Sequence, residues 1–153
     1  MRTGRQTAVA ACAAVLAALV VQGAHPQAAG RQSAPQATID PADPLTVPRI
    51  GLDQFRKLHA AEAVLPIDVR EQVAYASGHI PGALHVPRAA AERLAATVRE
   101  RARGRVVVLY CSCPGEYTSA ETALILHARG VADVRALVGG YPGWVRSGGR
   151  VAR

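Results

Sequence analysis

Two cysteines one residue apart open the stretch Cys111-Ser112-Cys113-Pro114-Gly115-Glu116-Tyr117-Thr118-Ser119-Ala120, where the reactive side chains of this chain concentrate. A thiol acts as a nucleophile through its thiolate, and its ordinary pKa of ~8.5 falls beside a helix N-terminus or converging amide hydrogens. The flanks of this stretch supply such a setting. Val106-Val107-Val108-Leu109-Tyr110 is short, β-branched and aromatic, and predicts a fully buried strand. Ala120, Ala123, Leu124, Leu126 and His127 then fall at helical spacing, with Gly130 as a stop, so a helix is predicted to begin between Tyr117 and Ser119. Strand, cysteine loop and helix together form an anion-handling layout, whether the charge sits on a thiolate or on a ligand. Gly115, Glu116, Tyr117, Thr118 and Ser119 are the candidate amide donors, since Pro114 has no N–H.

The ordinary reading of a cysteine pair in an exported protein is a structural disulfide. A bridge across Ser112 alone would constrain the unfolded chain very little, and its geometry would be tight, so Cys111 and Cys113 read as reactive thiols. His85 and His127 have no ligand spacing to them, which argues against a closed metal site and leaves only two sulfurs for a soft ion such as Cu(I). No cofactor is expected.

The elements that must position these residues follow from periodicity. Gly51 to Ala63 carries Leu52, Phe55, Leu58 and His59 at helical spacing. Val64 to Val69 predicts a buried strand, weakened by Pro66. A brief helix is expected over 71–76, a turn at Gly78-His79-Ile80-Pro81-Gly82, a small strand over 83–86 and an amphipathic helix over 88–103. Val134 to Val138 predicts another strand, and Gly139-Gly140 turns the chain into a short helix that seats Trp144. Strands alternating with helices predict a single small α/β domain over residues 49–150, with a mainly parallel sheet and helices on both faces. Ligands of such sheets bind beyond the carboxyl ends of the strands, where both Asp68 and Cys111 fall. Asp68 reads first as a cap on nearby amides and second as a group orienting the cysteine loop. Arg70 reads first as an ion-pair partner and second as an attractor of anions, and His79 as a packed turn residue.

With 153 residues there is room for one modest core, built from Val, Leu, Ile and Ala because only 4% of the chain is aromatic. The net charge of +7 comes from arginine, Lys57 being the only lysine. The densest cluster, Arg99, Arg101, Arg103 and Arg105, lacks interleaved aromatics and reads as a solvated helix end, so no nucleic-acid partner is expected. Residues 1–24 resemble a secretory signal: Arg2 and Arg5, then the uncharged stretch Thr7 to Val21, then Gln22-Gly23-Ala24. Export to the periplasm is the expectation. The stretch falls short of the ~20 residues of a spanning helix, so membrane association would come only through an uncleaved signal. Residues 25–48, rich in Ala, Gln and Pro, read as a linker or extended arm.

Ile67-Asp68-Val69-Arg70, then Tyr75 to Ala83 with its Gly-His-Ile-Pro-Gly-Ala segment, then Tyr110-Cys111, then Val138-Gly139-Gly140 and Trp144 resemble a rhodanese-like domain, in order and spacing, from Arg49 to Arg146. The loop resembles a Cys-X-Cys-Pro variant seen in some such domains. The resemblance implies sulfurtransfer: a cysteine takes sulfane sulfur from a donor such as thiosulfate, becomes a persulfide and passes the sulfur to a nucleophile. Its partners would be small sulfur donors and thiol acceptors, or a redox partner protein. The family commonly has an arginine where this chain has Thr118, and Glu116 adds negative charge where an anionic donor would approach. Both departures weaken the case for thiosulfate and for the related phosphatases. Anchoring on the strand makes Cys111 the nucleophile, whereas counting back from Ser119-Ala120 makes it Cys113; the strand is taken as the firmer anchor, with Cys113 as a second thiol. Two further functions stay open: a non-catalytic binding module, and periplasmic thiol–disulfide exchange through the pair.

Overall fold

The computed structural model describes residues 38–153; the expected signal over 1–24, and the arm as far as residue 37, lie outside the described residues. Five strands, β1 (Arg49–Ile50), β2 (Val64–Asp68), β3 (Leu84–His85), β4 (Val106–Tyr110) and β5 (Val134–Leu137), form one sheet in the order β1-β5-β4-β2-β3. Every pairing is parallel. The helices are α1 (Leu52–Ala60), α2 (Gln72–Ser77), α3 (Ala91–Ala102), α4 (Tyr117–Ala128) and α5 (Gly140–Arg146). The α/β class with a single parallel sheet agrees with the sequence; the two-residue strand β1 is too short for any periodicity to announce.

Side chains of a strand alternate between faces, and the two halves of the core follow that alternation. Leu65, Ile67, Val107, Leu109 and Cys111 join α3 and α4 residues such as Ala95, Val98, Ala120, Ala123 and Leu126 on one face. Val64, Val108 and Tyr110 join Phe55 of α1 and Trp144 of α5 on the other. The alanines let α3 and α4 lie close to the sheet, which compensates for the scarcity of aromatics.

Pro66 sits inside β2, a strand with neighbours on both sides, and the register explains how. Ala63 O accepts from β4 and Val69 N donates to it, so odd-numbered residues of this segment turn their polar groups toward β4 and even-numbered ones toward β3. The N–H that Pro66 lacks is therefore on the β3 side, at a level where β3 has not begun, since its pairing starts at Ile67 with Leu84.

The arm expected over 25–48 is not an arm along its last part. Val47 is buried in the core and Ile39 packs against it. Thr46 Oγ1 accepts from Asp40 N, and Asp43 Oδ1 caps the short 3-10 turn Pro44–Thr46. Prolines that interrupt regular structure still allow apolar residues between them to pack. At the other end, His79 and Ala152 exchange backbone hydrogen bonds and fix the C-terminal tail.

Candidate active site

β4 ends at Tyr110, and the chain then runs through Cys111, Ser112 and Cys113 into a 3-10 turn over Pro114–Glu116 before α4 begins at Tyr117. Cys111 continues the alternation of β4, sharing its face with Val107 and Leu109, and is only 3% exposed beneath α4. Cys113, two residues on, is partly exposed, and both thiols are free. Gly115 (φ 65°) and Glu116 (φ 56°) are left-handed and Tyr117 returns to right-handed backbone (φ −55°), a turn that leads the chain from the cysteines into α4. Glycine takes the first of these positions without strain.

Of the candidate amide donors, that of Thr118 reaches Cys113. Its Sγ accepts the Thr118 N–H at 3.4 Å, at the first turn of α4, and the Thr118 hydroxyl is 3.5 Å away. Burial works against a charge on Cys113, but hydrogen bonds from Cys111 and from the Thr118 hydroxyl and amide outweigh it, so the thiol is held below its ordinary range. Cys111 is pushed the opposite way, first by burial and then by its role as donor to Cys113, and nearby Ser119 offsets this only in part. The Cys111 thiol also points toward Cys113 O at 3.9 Å. Ser119 Oγ, fully buried, favours charge on Cys111 without completing a hydrogen bond, and has no partner among the described residues.

The loop is held from the β5–α5 turn. Glu116 Oε1 accepts the Gly139 N–H at 2.8 Å, so this carboxylate is a latch rather than a free charge facing the loop. Cys111 O accepts the Tyr141 N–H at 2.9 Å. Gly140 (φ 50°) allows the approach, because a Cβ there would lie 2.3 Å from Cys111 O. The importance of Gly139, Gly140 and Tyr141 to the loop was visible in the sequence only as a turn signal.

The hydrogen bonds of Asp68 and Arg70 go to each other and to backbone, and none reaches a cysteine. Asp68 is fully buried, and its carboxylate accepts from Arg70 Nε at 2.9 Å, Nη2 at 2.6 Å and the backbone N at 3.0 Å. Arg70 also donates to Gly78 O at 2.6 Å and lies over the Tyr141 ring, 3.7 Å from its centroid. The expected ion pair and amide cap are both present, and the pair braces the ends of β2 and α2. His79 stacks on Tyr75 with centroids 4.0 Å apart, as a packed turn residue. Among the described residues no cluster of three metal-ligating side chains occurs, and no helix is long and apolar enough to cross a membrane.

The family model for the rhodanese-like domain matches residues 52–147. Among solved structures, the chain superposes on the BH2092 protein of Bacillus halodurans with a TM-score of 0.61 at 23% identity, covering 69% of this chain and 76% of that one. A human single-domain sulfurtransferase aligns at 22% identity with a TM-score of 0.55, over 65% of this chain and 96% of that one. The thiosulfate sulfurtransferase of Pseudomonas aeruginosa is 28% identical with a TM-score of 0.56, over 70% of this chain but only 20% of that longer one. With the family model covering 52–147 and the cysteine loop set between β4 and α4, this chain belongs to the rhodanese-like domain family.

Proposed function

We propose that the protein is a sulfurtransferase whose persulfide forms on Cys113, rather than on the Cys111 that strand register favours. The observation that carries this is the hydrogen bond from Thr118 N to Cys113 Sγ at the start of α4. An amide at a helix N-terminus stabilises a thiolate and, later, the charge on a leaving sulfur. The Cys113 thiolate attacks the outer sulfur of a donor R–S–SH, the donor's S–S bond breaks, and R–S⁻ departs as Cys113–S–SH forms. A thiol acceptor then takes the outer sulfur by the same displacement.

The donor class follows from the loop. Thr118 offers a hydroxyl but no charge to clamp the thiosulfate dianion, and Tyr117 (55% exposed) and Val138 (44% exposed) flank the Glu116–Gly139 latch with apolar surface. Organic persulfides of small thiols fit this rim better than thiosulfate does. Export, read from residues 1–24, would place the reaction in the periplasm. The test is to load the reduced protein with a small-thiol persulfide and map the added sulfur by peptide mass. Cys113→Ser should abolish uptake. A Cys113→Ser protein that gains sulfur or releases hydrosulfide as the parent does, or a parent that neither gains sulfur nor releases hydrosulfide, overturns the proposal.

A further inference from the structure

The sulfurtransfer above needs one thiol, and the structure holds a second beside it, buried and aimed along the loop. We propose that Cys111 is a resolving thiol that discharges the Cys113 persulfide, releasing the sulfane sulfur as hydrosulfide and leaving a Cys111–Cys113 disulfide. This rests on the Cys113 persulfide and extends it from sulfur transfer to sulfur reduction.

Three observations carry the inference. Cys111 is 3% exposed beneath α4, so a donor arriving from solvent meets Cys113 and not Cys111. The group that Cys111 can reach is its neighbour: its thiol points along the loop to Cys113 O at 3.9 Å, and Cys113 packs against the same apolar cluster that holds Cys111. The chain leaves the strand and bends at Ser112 and Cys113, so the second thiol stays close to the first. Ser119 supplies the third. A fully buried hydroxyl without a hydrogen-bond partner is costly to maintain. Ser119 Oγ is such a group, in the first turn of α4 next to the Ala120 that shares a cluster with Cys111, and it is a donor left over for a sulfur that has lost its proton.

The step balances within the loop. The proton of Cys111 passes to the outer sulfur of Cys113–S–SH, and the Cys111 sulfur attacks the inner one. The bond between inner and outer sulfur breaks with its electron pair on the outer sulfur, which leaves as hydrogen sulfide. The sulfane sulfur is reduced by two electrons and the two cysteines are oxidised by two. Small thiols or a dithiol reductant then reopen the disulfide for the next cycle.

The experiment uses the reduced full chain, freed of reductant and given one equivalent of a small-thiol persulfide, followed by alkylation, peptide mapping and a hydrosulfide assay. Cys111 and Cys113 share the tryptic peptide 106–129, and Cys12 falls on another, so the thiols report separately. The parent should release one hydrosulfide per chain and show the 106–129 peptide two hydrogens lighter, while Cys111→Ser should retain the extra sulfur on Cys113 and release none. Cys111→Ala repeats the test with a side chain suited to the apolar face. A parent that holds sulfur on Cys113 as long as both variants do, without hydrosulfide, overturns the resolving role and leaves the sulfurtransferase standing. Absence of sulfur on all three removes the persulfide itself and the resolving role with it. The parent's hydrosulfide yield decides the matter even where a variant folds poorly.

Discussion

The two sulfurs of the loop are chemically unlike although one residue separates them. Cys113 is held below the ordinary thiol range by its donors, and Cys111 above it by burial. Alkylation requires the thiolate, so Cys113 should react at pH values where an ordinary thiol is silent and lose reactivity as the pH falls through its lowered pKa. Cys111 should gain reactivity only as the pH rises beyond the ordinary range. Peptide mapping after timed alkylation across a pH series measures both, and coincident profiles would contradict the asymmetry. A second residue-scale prediction concerns Thr118, which holds the place of the family's arginine. A charged hydrogen bond contributes about 1.5–3 kcal/mol, so Thr118→Arg should raise thiosulfate kcat/KM by about tenfold or more, with a smaller change for a neutral persulfide. The loop's position at the end of β4 was legible from its flanks, but the inequality of its cysteines was not. Extending the alternation of Val107 and Leu109 by one more step places Cys111 inside, whereas Glu116's bond to Gly139, 23 residues away, left no local trace.

At the scale of elements, the cysteine loop depends on the turn between β5 and α5. Gly140 combines a left-handed φ of 50° with a Cβ position 2.3 Å from Cys111 O, so Gly140→Ala meets both backbone strain and a collision with backbone that cannot swing aside. The cost should be about 2–4 kcal/mol, read from denaturant midpoints. Relief of the clash must push the Cys111 carbonyl off Tyr141 N, so the alkylation contrast between the thiols should narrow in the same variant. Gly139→Ala is the informative comparison, because it shares the positive φ but its Cβ would meet Gly143 Cα at 3.4 Å, an ordinary contact. It should lose stability with little change in the thiols. Most elements were readable because β-branched runs and helical spacing are local signals. Pro66 weakened the expectation for β2 because its tolerance depends on where β3 begins, a long-range fact. The packing of Ile39 and Val47 was hidden for a similar reason, since the surrounding prolines suggest an arm until there is a core to receive the apolar residues between them.

At the scale of the whole molecule, the sheet separates two apolar clusters, and the Asp68–Arg70 pair closes the end of one of them against Tyr110 and Tyr141. Arg70 links β2 to the segment after α2 through Gly78 O and to α5 through the Tyr141 ring. Nearby, the Tyr110 hydroxyl accepts the Ile80 N–H at 3.1 Å. A buried pair gains little over well-packed apolar residues, yet removing one partner strands the other charge at a cost of about 3–5 kcal/mol. Arg70→Met should therefore destabilise the fold by that order, because Asp68, fully buried, loses every guanidinium donor and keeps no cation beside it. Asp68→Leu combined with Arg70→Met should be less damaging than Arg70→Met alone, leaving chiefly the backbone N–H of residue 70 and Gly78 O to find new partners. Denaturant unfolding of the parent, both single variants and the double variant isolates the coupling energy. Sulfur uptake measured on the folded fraction separates bracing from chemistry: the hydrogen bonds of this pair reach no cysteine, so uptake should persist wherever the fold does. A fully folded Arg70→Met protein that no longer loads sulfur would instead make Arg70 a positioning residue for the loop, acting through Tyr141 and its hydrogen bond to Cys111 O.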